Sequence, residues 1–436
     1  MATRLSFAID GKPLLLIGIA AVMGGSVLSA LAASTWVLTL GRSIAGAGHG
    51  TLSVLCQLIS QQLYAKRFRE RPAIVMSLMF WLGTAAGPLA GGAISQALDW
   101  RYVFWLNVPI CLLAFSGILL CLHMPLKQGS IVACLRKIDF IGWVLLVVCL
   151  CPLQLAISSA GSSYSWGSAQ TLVLLVVSVA GLLFWTQYAR YRIEPLLPIS
   201  ILHRATAVVS SLGTVVHGMI FTAIIYFLPD FLAADDGYDI TRSGLVLGSW
   251  LFPLVLTASA ASILLPRTGH RWLLWLGWLL TTLGSGLMAL FAVDFSRILV
   301  VVIGVVCGAG LGLLVPSLYS ALESAATTSD ETMHSRPLHG FCSLLGQSLG
   351  LTVGCCVYLN RMQLQHLDGV ERTGLASSSV AMQGELASSR AEALRVLWMV
   401  LCGLAGLAFV SSVWFTEGAQ TQRNLVADES NIESHV

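Results

Sequence analysis

The 436 residues predict an all-α polytopic membrane protein with about twelve transmembrane helices. Three observations carry this. Hydrophobic residues make up 56% of the chain and charged residues only 10%, where a soluble domain carries about 25% charge. Twelve apolar runs each approach the roughly 20 residues that cross a bilayer as a helix. Lys and Arg crowd into alternate connections between those runs, as in a chain threaded through a membrane. The alternating pattern of an outer-membrane barrel is absent.

The runs follow in order at 13–33, 37–60, 73–95, 103–123, 139–159, 168–188, 205–229, 243–264, 272–292, 298–320, 338–359 and 394–415. The first is as long as a span, and no small-residue cleavage site followed by soluble sequence comes after it, so it reads as a helix rather than a leader. The second holds Arg42, the one basic residue placed inside a span. The third contains Gly83, Gly87 and Gly91, spaced every four residues on one helix face, together with Gly92. Such a face lets another helix backbone approach closely. Pro88 removes one backbone hydrogen bond and bends that helix. The seventh carries His217 at mid-span. Residues 361 to 390 are too polar to span and read as a long, mobile outer loop; residues 417 to 436 read as a disordered polar tail.

With the amino terminus in the cytosol, sixteen Lys and Arg fall in cytosolic segments and seven on the opposite side. Both termini are therefore expected to be cytosolic. The net charge of +3 says nothing of nucleic acid, because the basic residues lie in these connections. The eleven cysteines lie almost entirely in apolar runs and read as small core residues. No Cys/His spacing fits a metal, and no cofactor is expected. The phosphate-binding Gly-x-x-x-x-Gly-Lys-Ser/Thr pattern is absent, which argues against an ATP-driven pump. No catalytic constellation is present, so an enzyme is not expected.

Several motifs recur as a set. Gly83-Thr84-Ala85-Ala86-Gly87-Pro88-Leu89-Ala90-Gly91-Gly92 resembles the antiporter signature of the major facilitator superfamily. Gly41-Arg42-Ser43-Ile44-Ala45-Gly46-Ala47-Gly48 resembles its Gly-Arg-x-x-Gln-Gly-x-Gly motif, with Ala45 in place of Gln. Trp100-Arg101-Tyr102-Val103-Phe104-Trp105-Leu106-Asn107-Val108-Pro109 is similar to its Trp-Arg-x-x-Phe-x-x-Asn-x-Pro sequence, and Asp139-Phe140-Ile141-Gly142 to the opening of a later helix. The set resembles the fourteen-helix drug:proton antiporter branch, fungal efflux transporters above all. In that register the twelve spans match helices three to fourteen, with the first two absent. The resemblance then implies a major facilitator fold of 4 + 2 + 6 helices. It divides into a partial amino-terminal lobe (1–137), two inserted helices and a cytosolic linker (138–204), a carboxy-terminal lobe (205–416) and a cytosolic tail (417–436).

The function implied is secondary-active efflux of small organic compounds (drugs, toxins or secondary metabolites) by proton antiport and alternating access. The partners implied are the lipid bilayer, a small organic substrate and protons, with no nucleic acid; the oligomeric state is left open. The membrane implied is the plasma membrane, or a vacuolar or other internal one. The alternative is a truncated, non-transporting membrane protein or regulatory remnant of such a transporter. All 21 Asp and Glu lie at span ends, in loops or in the tail, and this favours the alternative, because proton coupling calls for a titratable acid in the cavity.

Arg42 and His217 are the coupling candidates. A charge inside the bilayer is costly unless paired, so Arg42 either serves function or snorkels to the headgroups. The His217 imidazole either titrates or hydrogen-bonds between helices. Gln57, Asn107, Tyr226 and Gln347 are candidates for the substrate path, against a bridging or interfacial role for each. Gly83, Gly87, Pro88, Gly91 and Gly92 would form the bent helix of the lobe interface.

Overall fold

Each predicted span falls on one helix of the computed structural model, which describes residues 11–63, 70–122, 139–192, 199–232, 240–290, 297–327, 329–372 and 390–414. The helices are α1 (Gly11–Ala30), α2 (Thr35–Leu63), α3 (Glu70–Ala97), α4 (Arg101–Cys121, with a turn at Leu106), α5 (Phe140–Ser159) and α6 (Ala169–Tyr191). They continue as α7 (Ala205–Leu232), α8 (Ile240–Thr268), α9 (His270–Leu290), α10 (Arg297–Ser324), α11 (Ser329–Arg372) and α12 (Arg390–Trp414). Among the described residues, pairing of β type is limited to a single bridge between Ala160 and Tyr164.

Eleven of these helices contain a stretch long and apolar enough to cross a membrane. α2 falls outside that set, because Arg42, His49, Gln57, Gln61 and Gln62 dilute its apolar content. Large apolar side chains such as Val176, Leu183 and Phe184 are more than 60% exposed. Such surfaces suit hydrocarbon, which solvates them without the penalty that water imposes. The chain is a multi-pass integral membrane protein.

One expectation needs correction. α11 runs for 44 residues, so the first part of the expected outer loop, up to Arg372, is helical. The reason is local: Met362-Gln363-Leu364-Gln365-His366-Leu367 holds no Gly or Pro, and Met, Gln and Leu are good helix formers. The remainder of that loop and the tail lie outside the described residues. Pro88 sits inside α3 without ending it.

The chain divides into two compact units: Met1–Trp143 with Arg192–Leu196, and Val144–Tyr191 with Leu197–Val436. In the first, α1 and α2 form the tight seam. A Cβ at Gly25 would lie 2.5 Å from the Gly41 carbonyl oxygen, and one at Gly48 would lie 2.7 Å from that of Gly18. Leu14, Leu15, Leu55 and Ile59 fill the seam, and Ile19 and Val22 reach Cys111 on α4. Asp139 caps the first turn of α5, accepting a 2.9 Å bond from the Gly142 amide. This explains the Asp-Phe-Ile-Gly sequence: a Cβ at position 142 would lie 2.7 Å from the Asp139 carboxyl carbon.

In the second unit α10 is central, packing on α7, α8 and α9, while α7 also packs along α11. Glycines set these approaches. A Cβ at Gly218 would lie 2.5 Å from the Ser343 oxygen, and one at Gly284 would lie 2.5 Å from Cys307 Cβ. The turn between α8 and α9 is made by Gly269 at φ 73°, a left-handed conformation that suits glycine. The short 3₁₀ turn Ile199–His203 drops Ile201 into a core with Ala207, Leu322 and Leu338. Arg204 then ties the start of α7 to the α10–α11 connection, bonding the Ala325 carbonyl and pairing with Glu331 at 3.4 Å.

Candidate functional site

In the first unit, two motif segments far apart in sequence meet. Arg42 projects from α2 so that its guanidinium carbon lies 5.7 Å from the Phe104 ring centre on α4. A guanidinium over an aromatic face is held by the ring quadrupole, and the hold strengthens away from water. Arg42 itself is exposed. Asn107 on α4 donates to Ser26 Oγ on α1 at 3.3 Å, so it bridges helices. Arg101 packs 4.5 Å from the Trp100 ring centre and donates to the Ala32 carbonyl at 3.1 Å. The Gly-Arg and Trp-Arg motifs are thus parts of one packed arrangement. His49 is exposed, and its Nδ1 lies 2.9 Å from the Ala45 carbonyl oxygen of its own helix. Gln57 lies on α2, and its side chain falls outside the described residues.

The signature helix α3 behaves differently from expectation. Gly83 and Gly87 are exposed, Pro88 and Gly91 are half-buried and Gly92 is buried. Among the described residues, a Cβ added at Gly83, Gly87 or Gly91 would find no atom within 4 Å. The close-packed seam of this unit is α1 against α2, not α3. The small-residue face is present, as its spacing requires, but its own unit does not use it for packing.

In the second unit, His217 is buried on α7. Its Nε2 lies 3.1 Å from the Leu311 carbonyl of α10, and its ring stacks on Phe221 at 6.4 Å. A carbonyl only accepts, so Nε2 carries the proton. This is the helix–helix bond weighed above. Gln347 on α11 is half-buried, and its amide reaches Ser343 Oγ only at 3.5 Å, a weak contact. Tyr226 is 58% exposed and packs edge-on to Phe227 at 5.0 Å. Trp250, by contrast, is buried against Trp398 at 6.1 Å, which places it in the interior of its unit rather than in an interfacial belt.

Three residues escaped the reading of the sequence. His339 on α11 lies 3.2 Å from Thr214 Oγ1 on α7 and 5.7 Å, ring to ring, from Tyr319 on α10. Arg336, one turn earlier on α11, lies over the Tyr319 ring at 4.6 Å. Thr214 and His217 fall on the same face of α7. Thr214 lies 125 residues from His339 and His217 lies 94 from Leu311 in the chain, so no local spacing announces either pair. Among the described residues, no group of His, Cys, Asp and Glu is placed to hold a metal ion.

Comparison with known proteins is consistent across sequence and structure. The family model described as Major Facilitator Superfamily matches residues 1–351. The chain is 32% identical over 426 residues to "MFS transporter L2" of Phoma sp., covering 93% of this chain and 71% of that protein. It is 29% identical over 345 residues to "MFS-type efflux pump MMF1" of Mycosarcoma maydis, covering 77% of this chain and 54% of that one. With "MFS efflux transporter aclA" of Aspergillus oryzae it shares 26% over 405 residues, covering 88% and 73%. Among solved structures, a POT family transporter in complex with 5-aminolevulinic acid superposes with a TM-score of 0.60 at 16% identity, covering 94% of this chain and 82% of that chain. At that identity the likeness is one of fold.

Proposed function

This chain belongs to the major facilitator superfamily, and on that premise we propose that it exports small organic compounds in exchange for protons. It is a membrane transporter, not an enzyme, as its relatives are named. The finer reading rests on two supports. Relatives are named as an efflux pump and an efflux transporter, and one as an MFS-type transporter of the acurin A biosynthesis cluster. The observation that carries it is the meeting of Arg42 with Phe104, which joins two motifs of the drug:proton antiporter branch into one arrangement.

In this reading residues 1–137 and 205–416 act as two lobes that alternate access around a midplane site. Residues 138–204 supply the inserted helices and linker. Arg42 assists coupling from one lobe and His217 from the other. The α3 helix, with Gly83, Gly87, Pro88, Gly91 and Gly92, serves the lobe interface, and Gln57, Asn107, Tyr226 and Gln347 border the substrate path.

The test is energised efflux. Cells lacking their own drug exporters express the chain and are loaded with rhodamine 6G. The expected result is dye loss above an empty-vector control, abolished by a protonophore. Loss that ignores the protonophore would remove proton antiport from the reading. Loss equal to the control, with surface expression confirmed, would favour the non-transporting alternative.

A further inference from the structure

We infer that His339 and His217 are the proton-carrying pair of the second unit, held by Thr214 on α7 and Tyr319 on α10 as positioning residues. The inference rests on the proton-antiport reading and gives its coupling candidate His217 a second titratable ring, His339. The geometry fixes the proton positions. Thr214 Oγ1 donates its single hydrogen to the Ser210 carbonyl at 2.8 Å. It can therefore only accept from His339 Nδ1 at 3.2 Å. His339 then holds its proton on Nδ1 and presents the Nε2 lone pair. His217 holds its proton on Nε2, donated to Leu311, and presents the Nδ1 lone pair.

Each ring can thus bind one further proton without breaking the bond that orients it. Imidazole plus a proton becomes imidazolium, one elementary charge is gained, and the same proton leaves from the same nitrogen. Two rings of this kind, one on each of the packed helices α7 and α11, are what a coupling site needs. The groups facing them come from all three helices. His217 is on α7. Tyr319 is on α10, with Glu323 one turn beyond it. Arg336 is on α11, one turn before His339 and over the Tyr319 ring. The row runs from the charged ends of α10 and α11 towards mid-span.

The test uses substitutions that keep the orienting bonds and remove the titration. In His339→Asn the amide nitrogen takes the place of Nδ1 as donor to Thr214; in His217→Gln it takes the place of Nε2 as donor to Leu311. Full-length wild type and the double variant are purified, checked for equal unfolding midpoints and placed in liposomes. Two readings are taken with rhodamine 6G: uptake driven by an imposed pH gradient, and dye-for-dye counterflow with no gradient.

The expected result is loss of gradient-driven uptake with counterflow retained, and a merely structural pair would not divide the two. A pH-sensitive dye inside the vesicles should show that dye-driven proton movement is lost with the uptake. If wild type is coupled and the double variant remains coupled, the inference falls and the antiport reading stands. If wild type counterflows the dye but ignores the gradient, the antiport reading falls and the inference with it. Should the double variant unfold early, the single variants are compared in the same two assays, and retained coupling in both overturns the inference.

Discussion

Arg42 and Gly87 show what single residues contribute and where composition misleads. A lone arginine within an apolar stretch reads as costly, yet here an aromatic ring from another motif faces it at 5.7 Å. Phe104 is the partner, and only the fold brings it there. Gly87 reads as a packing residue from its four-residue spacing with Gly83 and Gly91. Among the described residues a Cβ at any of the three meets no atom within 4 Å. A Gly87→Leu substitution should therefore leave the unfolding midpoint in detergent unchanged. If α3 serves the lobe interface, the same variant should lower protonophore-sensitive efflux. A midpoint that falls as far as that of a seam glycine would return Gly87 to a packing role.

At the scale of elements, glycines earn their place where backbones touch. α7 and α11 approach so closely that a Cβ at Gly218 would lie 2.5 Å from the Ser343 oxygen and 2.9 Å from the Gln347 nitrogen. Both are backbone atoms and cannot swing aside. The Gly218→Ala substitution should destabilise the second unit by about 1–3 kcal/mol, the usual magnitude of overpacking, read as a lower thermal midpoint beside an unchanged Gly87→Leu. An unchanged midpoint would mean that the two helices separate at little expense. The seam that Gly218 closes also aligns Thr214 with His339. The stability test and the coupling test therefore probe one interface by independent routes. The same scale explains α11: its good helix formers carry it through 44 residues, well past the span that hydropathy marks.

At the scale of the whole molecule, orientation is the property that charge sets. From sixteen Lys and Arg on one side against seven on the other we propose that both termini face the cytosol. An epitope tag appended after Val436 should bind antibody only in permeabilised cells; labelling of intact cells would reverse the topology. The two compact units follow the same physics as any bundle. Each buries a seam of its own, α1 against α2 in the first and α10 against α8 and α9 in the second, while leaving leucine, valine and phenylalanine to the lipid.

The amino-acid sequence by itself determined that the chain is helical, membrane-embedded and crosses about twelve times. Hydropathy is a sum over some 20 neighbouring residues and needs no knowledge of the fold. It also identified the family, because the motifs are local runs. Side-chain partners were another matter. The sequence pointed to His217 and left its role open between titration and a helix bridge; the structure supplied the Leu311 carbonyl. Only the tertiary structure decided that α1 and α2, rather than α3, form the tight seam of the first unit. It alone joined His339 to Thr214 across 125 residues of chain. Contacts of this kind depend on which helix faces meet, and that is settled by close packing of whole elements rather than by any stretch of sequence read alone.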